Sequence, residues 1–307
     1  MKLLKISSFL LCFIITILFV LLSTKNYKDP SLFIIENGES LTSISNNLFD
    51  KGYIINSNLF KLYCYLSNRY DSLKAGEYLL KNESIISLNR KLFLGEIYYR
   101  KLTLVEGMSL ADISLLILSH KALVQDLDLT KEAEGSYLPD TYFYKRGDRL
   151  SSILMQAKKE REKTYNNIWL TRSDNLPLKT LQEAVSLASI VEKEGSEKKQ
   201  IASVFLNRLT MNMKLQADPT VIFAMGNQYK GNIRRKDLKL KHPYNTYYIK
   251  GLPPGPIGLV SETALEAVLN PIKTDKLYFV AKGDGSHVFT SNLEDHNAAV
   301  TKYQLKK

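Results

Sequence analysis

Cysteine is nearly absent from this chain of 307 residues, which holds only two. Cys12 lies inside the one long apolar run, so Cys64 has no partner in the remainder and a disulfide framework is excluded. Histidine is also scarce, at four residues. His287 and His296 stand beside a hairpin end and within a helix, with no third ligand in register, which argues against a metal centre. No cofactor is expected. No nucleic-acid-binding motif occurs, and Lys198, Lys199, Arg234, Arg235 and Lys236 are scattered along helices. The net charge of +11, from 42 Lys+Arg against 31 Asp+Glu, therefore suits anionic lipid heads or an acidic polymer, with no nucleic acid as partner.

What the chain has is apolar content and one segment that stands apart. Hydrophobic residues make up 45% of it, enough for a sizeable core and two or three domains. Ile6–Ser23 is a run of eighteen uncharged residues between Lys2 and Lys5 on one side and Lys25 and Lys28 on the other. A secretory h-region is typically ~7–15 residues long with a small-x-small cleavage site after it. Here the run is longer, and Leu21-Leu22-Ser23-Thr24-Lys25 offers no such site. Its length approaches the ~20 residues that span a bilayer. The sequence thus predicts an uncleaved transmembrane anchor over 6–24, with 1–5 as a cytoplasmic tip. Basic residues on both flanks leave the positive-inside bias silent. A single N-terminal span before one large domain implies a single-pass protein of the inner (plasma) membrane, with that domain exported.

Residues 31–100 alternate short apolar runs with Gly, Asn and Ser. A strand-like Phe33-Ile34-Ile35 leads into Glu36-Asn37-Gly38-Glu39-Ser40-Leu41 and a helical pattern at Leu41, Ile44 and Leu48. The phrase returns at Leu102–Leu110, where Glu106-Gly107-Met108-Ser109 precedes another helix. Both Ser40 and Ser109 are expected N-caps. This strand–turn–helix phrase resembles the LysM module, a small fold associated with N-acetylglucosamine polymers; a generic strand-to-helix turn used twice is the other reading. Next, Glu134–Tyr144 packs a Gly, a Pro and four aromatics into a structured loop.

The last third carries the chemistry. Thr180-Leu181-Gln182-Glu183 is a capping box that opens a helix running to Gly195. At ~100° per residue, Leu181, Ala184, Val185, Ala188 and Val191 form one apolar stripe. Glu192 falls inside that stripe, whereas Glu183 and Glu194 fall on the opposite, polar face. A carboxylate on the buried side is costly unless paired or used. Two readings stay open for Glu192: a proton donor of raised pKa, or a cap or ion pair, for instance with Arg208. A helix capped by Ser196 follows, then Leu215–Thr220 with Asp218 as N-cap, Tyr244-Asn245-Thr246-Tyr247, and the rigid Gly251–Ile257 loop with its three prolines. Gly283-Asp284-Gly285 between apolar runs reads as a hairpin, and a helix from Leu293 to Leu305 closes the chain.

These motifs, in this order, resemble the YceG-like family of endolytic murein transglycosylases: Ser189–Glu194, Ala202–Leu209, Leu215–Ile222, the Tyr-Asn-Thr-Tyr run and Gly-Leu-Pro-Pro-Gly-Pro-Ile. The likeness is close over about 100–305 and one of layout over 31–100. It implies an α+β fold with an N-terminal transmembrane helix, a LysM-like domain over 31–100 and a mixed catalytic domain over 101–307. It implies Glu192 as the acid–base catalyst, cutting the β-1,4 bond between N-acetylmuramic acid and N-acetylglucosamine with 1,6-anhydro ends as product. Asn207, Gln216, Thr220, Tyr244, Asn245, Tyr247, His287 and Phe289 are the expected substrate contacts, and 216–220, 244–247 and 251–257 the expected cleft walls. Peptidoglycan strands, the membrane and peptidoglycan synthases (penicillin-binding proteins) are the expected partners. A cutter that uses a second carboxylate would hydrolyse instead, but Asp218 reads as a cap and Asp284 as a turn. A muramidase of the same bond, or a non-catalytic glycan-binding scaffold with Glu192 in a core ion pair, are the alternatives.

Overall fold

The computed structural model describes residues 2–24 and 29–305, and side chains from residue 12 onward. It is a mixed α+β structure of two compact units, residues 1–100 with 143–148 and residues 101–142 with 149–307. Helix α1 (Lys2–Ser23) covers the apolar run. Among the described residues no helix is long and apolar enough to cross a membrane. The side chains of the expected tip, 1–5, and of 6–11, the first part of the expected anchor, lie outside the described residues.

The first unit runs strand–helix–helix–strand: β1 (Ser31–Ile35), α2 (Leu41–Asp50), α3 (Ser57–Leu66) and β2 (Gly76–Leu80), followed by α4 (Ile85–Leu94). The strands pair antiparallel with Phe33 opposite Tyr78. Both rings are fully buried and meet Ile44, Leu48, Phe60 and Leu88 from the helices. Ser40, Asn56 and Ser84 cap the three helices by accepting backbone N–H groups, which places each helix start at a polar side chain. Glu77, almost fully buried, receives two bonds of 2.8 Å from Arg100.

Two short strands, β3 (Arg100–Thr103) and β4 (Thr141–Tyr144), bracket α5 (Leu110–Ser119), whose capping box joins Ser109 and Asp112. Helices α6 (Leu150–Leu170), α7 (Leu181–Glu194), α8 (Lys198–Thr210), α9 (Asp218–Met225) and α10 (Glu262–Leu269) follow, then the hairpin β5 (Tyr278–Ala281) and β6 (His287–Thr290), then α11 (Leu293–Val300). The hairpin sets Phe279 opposite Phe289 and Ala281 opposite His287. Glu197, not Ser196, stands at the cap of α8. Ala217 caps α9, so Asp218 is its first helical residue and its carboxylate is not spent on the cap.

Helix α7 is the axis of the second unit. Every residue from Ala184 to Val191 is buried, because α6, α8, α9 and α10 pack around it. A helix covered on all sides has no polar face, so the stripe read from its sequence marks only part of its buried surface. Its small residues admit close neighbours, and its serines supply the polar bonds such a site needs. Ser189 Oγ donates to Ser186 O (2.7 Å) and accepts from Ile257 N–H (3.0 Å), tying the proline-rich loop to the helix. Tyr165 of α6 likewise donates its hydroxyl to Val260 O.

Ser189→Ala leaves the buried Ile257 N–H without its acceptor. A loss of about 1–3 kcal/mol is expected, read as a lower urea midpoint at unchanged slope.

Candidate active site

Three consecutive residues at the end of α7 go to three places. Glu192 turns inward: its side chain is only 7% exposed and meets Lys198 Nζ at 2.6 Å. It also accepts the backbone N–H of Ser261 at 3.0 Å and the Ser261 hydroxyl. Ser261 is the N-cap of α10, so the carboxylate sits at a helix N-terminus, where the dipole favours negative charge. Lys198 adds bonds to Ser261 Oγ (3.0 Å) and Thr263 Oγ1 (3.2 Å). Glu192 therefore pairs with Lys198 and Ser261, not with the Arg208 that the sequence offered as its partner.

Glu194 faces a cleft of about 550 Å³, lined also by Arg208, Gln216, Asp218, Tyr247, Tyr278 and His287. The helical wheel places Glu194 on the polar face with Glu183. At the last turn of α7 that face meets the β5–β6 hairpin and α11 across the cleft. Among the described residues Glu194 makes no ion pair. Burial pushes its carboxyl up to about 8; the nearby Asp218 charge adds to the rise and Arg208 opposes it.

The cleft walls are built by buried polar anchors. Arg208 is 7% exposed; its Nε–H donates to Leu277 O (2.6 Å) and its Nη1 to Leu215 O (2.7 Å), which joins the start of β5 to the segment before α9. Burial lowers its pKa, and its guanidinium lies 5.1 Å from the Tyr278 ring centre. Tyr247 donates its hydroxyl to Asp218 Oδ1 at 2.6 Å, and burial holds that phenol well above its ordinary value. Gln216 sits at φ +50°, the left-handed region, with its N–H on Thr246 O (3.2 Å). For a residue with a Cβ this costs of order 1 kcal/mol and is held by its surroundings. His287 is fixed twice by Glu197, through its backbone N–H (2.7 Å) and through Nδ1 (2.9 Å). The second bond makes Nδ1 the donor and leaves Nε2 free. Gly195 is required beside it, since a Cβ there would lie 2.9 Å from His287 Cε1.

Of the expected substrate contacts, Gln216, Tyr247 and His287 line this cleft. The others do not. Asn207 gives its amide to Thr274 O and Lys276 O, both at 2.9 Å. Asn245 is fully buried and donates to Leu238 O and Leu240 O. Thr220, also fully buried, bonds Ala217 O and Thr246 Oγ1. Tyr244 packs against Phe223, and Phe289 against Phe279. Nor does 251–257 form a wall; its Ile257 is core, and the opposite wall is the hairpin with α11. Asp218 is a cleft-lining residue that the sequence does not mark as one, because Asp before Pro reads as a cap. The cleft therefore holds two carboxylates, not one. Among the described residues no group of three or more His, Cys, Asp and Glu side chains is placed to hold a metal.

The raised Glu194 value has a consequence for folding. The folded protein keeps a proton that the unfolded chain, near the ordinary 4.5, has already lost. Unfolding free energy therefore falls as pH rises from about 4.5 to about 8 and levels off beyond. In Glu194→Gln this decline disappears, so the variant gains on the parent across that window in chemical unfolding at stepped pH.

Known proteins carry the same pattern. Residues 33–302 match the model of the YceG-like family. An endolytic murein transglycosylase of Bacillus subtilis (strain 168) is 32% identical over 92% of this chain and 87% of its own length. One of Streptococcus pneumoniae serotype 2 (strain D39) is 30% identical over 89% of this chain, which spans 58% of that protein. The crystal structure of a YceG-like protein from Listeria monocytogenes superimposes with a TM-score of 0.56 at 30% identity, over 89% of this chain and 99% of that one. With the family pattern running through nearly all of both units, this chain belongs to the YceG-like family.

Proposed function

We propose that this chain is an endolytic murein transglycosylase whose acid–base catalyst is Glu194. The observation that carries the assignment is a cleft carboxylate without an ion-pair partner, held largely protonated near neutral pH by burial and by Asp218. Protonated Glu194 gives its proton to the glycosidic oxygen as the bond to the muramyl anomeric carbon breaks. The N-acetylglucosamine end leaves with a 4-hydroxyl. Positive charge then develops at the anomeric carbon, where Asp218, oriented by Tyr247, supplies negative field. The muramyl 6-hydroxyl closes on that carbon, and the Glu194 carboxylate takes up its proton. The product is a 1,6-anhydro end, and no water is consumed.

Asp218 also favours a second reading. A second carboxylate is what a hydrolase needs to activate water or attack the sugar. Digestion of purified strands in heavy-oxygen water separates the two. Unlabelled anhydro ends are expected; label at the new anomeric carbon would make the enzyme a muramidase.

Residues outside the cleft complete the proposal. The apolar run Ile6–Ser23 supports α1 as a single-pass anchor in the plasma membrane, about 33 Å long at ~1.5 Å per residue, with the remainder on the outer side. The strand–helix–helix–strand order of residues 31–80 supports a LysM-like module. A strand cutter at the membrane meets newly made glycan, which makes synthases its natural neighbours.

Glu194→Gln retains the cleft's shape but has no transferable proton, so turnover should drop at least ~10²-fold. Glu192→Gln should keep most cleavage and lose stability instead. Release of anhydro-muropeptides by mass spectrometry, alongside thermal unfolding, reads both; inactivity of folded Glu192→Gln with an active Glu194→Gln would reverse the assignment.

A further inference from the structure

A second cavity, of about 720 Å³, lies beside the cleft and is unused by the chemistry above. The two share elements: α7 gives Glu194 to one and Lys193 to the other, and α9 gives Asp218 to one and Pro219 to the other. Its polar lining is of both signs. Glu134 is half-buried, and its carboxylate accepts the backbone N–H of Leu110, at 3.0 and 3.3 Å, and also that of Gly135. An ionised carboxylate has about four lone-pair positions, so part of its accepting capacity is unused. Burial raises its pKa, which the Lys193 charge counters. Lys193 itself is exposed and, among the described residues, has no ion pair. Asp112 is spent on the capping box of α5. The remaining wall is apolar at Pro219, Ile222 and Phe223 and polar at Ser109 and Asn227.

Glu134 is held rigidly. Gly135 adopts φ +70°, and a Cβ there would lie 2.6 Å from Pro256 Cγ. The Glu134–Gly135 segment is thereby pressed against the proline-rich loop, which Ser189 ties to α7. The carboxylate is therefore placed with little freedom to withdraw to water.

A cavity with a half-satisfied carboxylate at one point, an ammonium at another and an aliphatic-sized apolar wall fits a zwitterion. Acetylated sugar rings carry no cation for Glu134. The peptide borne on the muramyl lactyl group does: its diamino residue has a free amine, and it also has carboxylates. We infer that this cavity is a stem-peptide subsite, in which Glu134 takes the diamino residue's ammonium and Lys193 a peptide carboxylate. The inference rests on the strand-cutting role, because the peptide hangs from the muramyl residue whose bond is cut next to Glu194. Binding to the peptide would select strands not yet stripped of it.

The test uses the full chain and a synthetic free stem peptide with an unmodified lysine amine. Calorimetry should show binding to the parent and to Glu194→Gln alike, since Glu194 lies in the other cleft. Acetylating that amine, or introducing Glu134→Gln or Lys193→Ala, should each weaken binding at least ~10-fold, the scale of one charge-assisted bond. Lys193 is exposed, so its variant stays folded even where Glu134→Gln does not. The ratio of kcat/KM on peptide-bearing to peptide-free strands should fall in both variants. Absence of peptide binding by a parent that still cuts strands overturns the subsite and leaves the catalytic reading intact. Peptide binding by a protein that cuts no strand, with the same sensitivity to both variants, keeps the subsite and removes the catalytic reading. Binding indifferent to acetylation and to both substitutions overturns the inference.

Discussion

The enclosure of α7 is the constraint from which the site follows. Eight consecutive residues, Ala184 to Val191, are buried by helices on every side, so no charge can be placed along that stretch without a partner. Only the first and last turns emerge, and the last is the one that meets the cleft. There the chain must distribute Glu192, Lys193 and Glu194 at once, and each takes the environment its position gives it. Glu192 is satisfied by Lys198 and the start of α10, Lys193 reaches the surface beside the second cavity, and Glu194 is left in a cleft with its charge opposed by Asp218. The same core that stabilises the unit thereby decides which carboxylate is paired and which stays protonated.

Pairing is what separates the two glutamates. Glu192, bonded to Lys198 and to the Ser261 N–H at the start of α10, links α7 to α8 and α10. A carboxylate with low solvation, a like charge nearby and no ion pair is stabilised as the acid. Arg208 sharpens the contrast. It is the cation whose charge acts on Glu194, while its Nε and Nη1 donors are held by the carbonyls of Leu277 and Leu215. It lowers the Glu194 pKa without neutralising it. The guanidinium is thus part of the wall, and the proton remains available in the cleft.

Backbone shape supports the same arrangement at two positions. The absence of a Cβ at Gly195 lets the His287 ring approach the end of α7, and Glu197 fixes that ring from the other side. Gln216 holds a left-handed conformation that glycine would adopt more readily. A side chain retained where the backbone disfavours one fits a position at the mouth of a cleft, where strain is tolerated because neighbouring bonds over-determine the geometry.

Local chemistry was legible in the sequence because it depends on neighbours in the chain. Ser40, Ser109 and Thr180 cap helices as their spacing implied, the Gly-Asp-Gly turn joins a hairpin, and the motif order from Ser189 to Ile257 marked the family. Three cleft residues, Gln216, Tyr247 and His287, were also named from it. What the sequence could not decide was orientation. A helical wheel ranks residues by angle on one helix, but a helix packed on all sides offers several buried directions and one opening, and the angle does not say which is which. Glu192 and Glu194, separated by a single lysine, reach different surroundings for that reason, the first an ion pair and the second the cleft. Asp218 reads as a cap and Asn207 and Thr220 as sugar contacts for the same reason: partners 26 to 69 residues away, Tyr247 for Asp218, Thr274 and Lys276 for Asn207, Thr246 for Thr220, are brought beside them only by the tertiary fold.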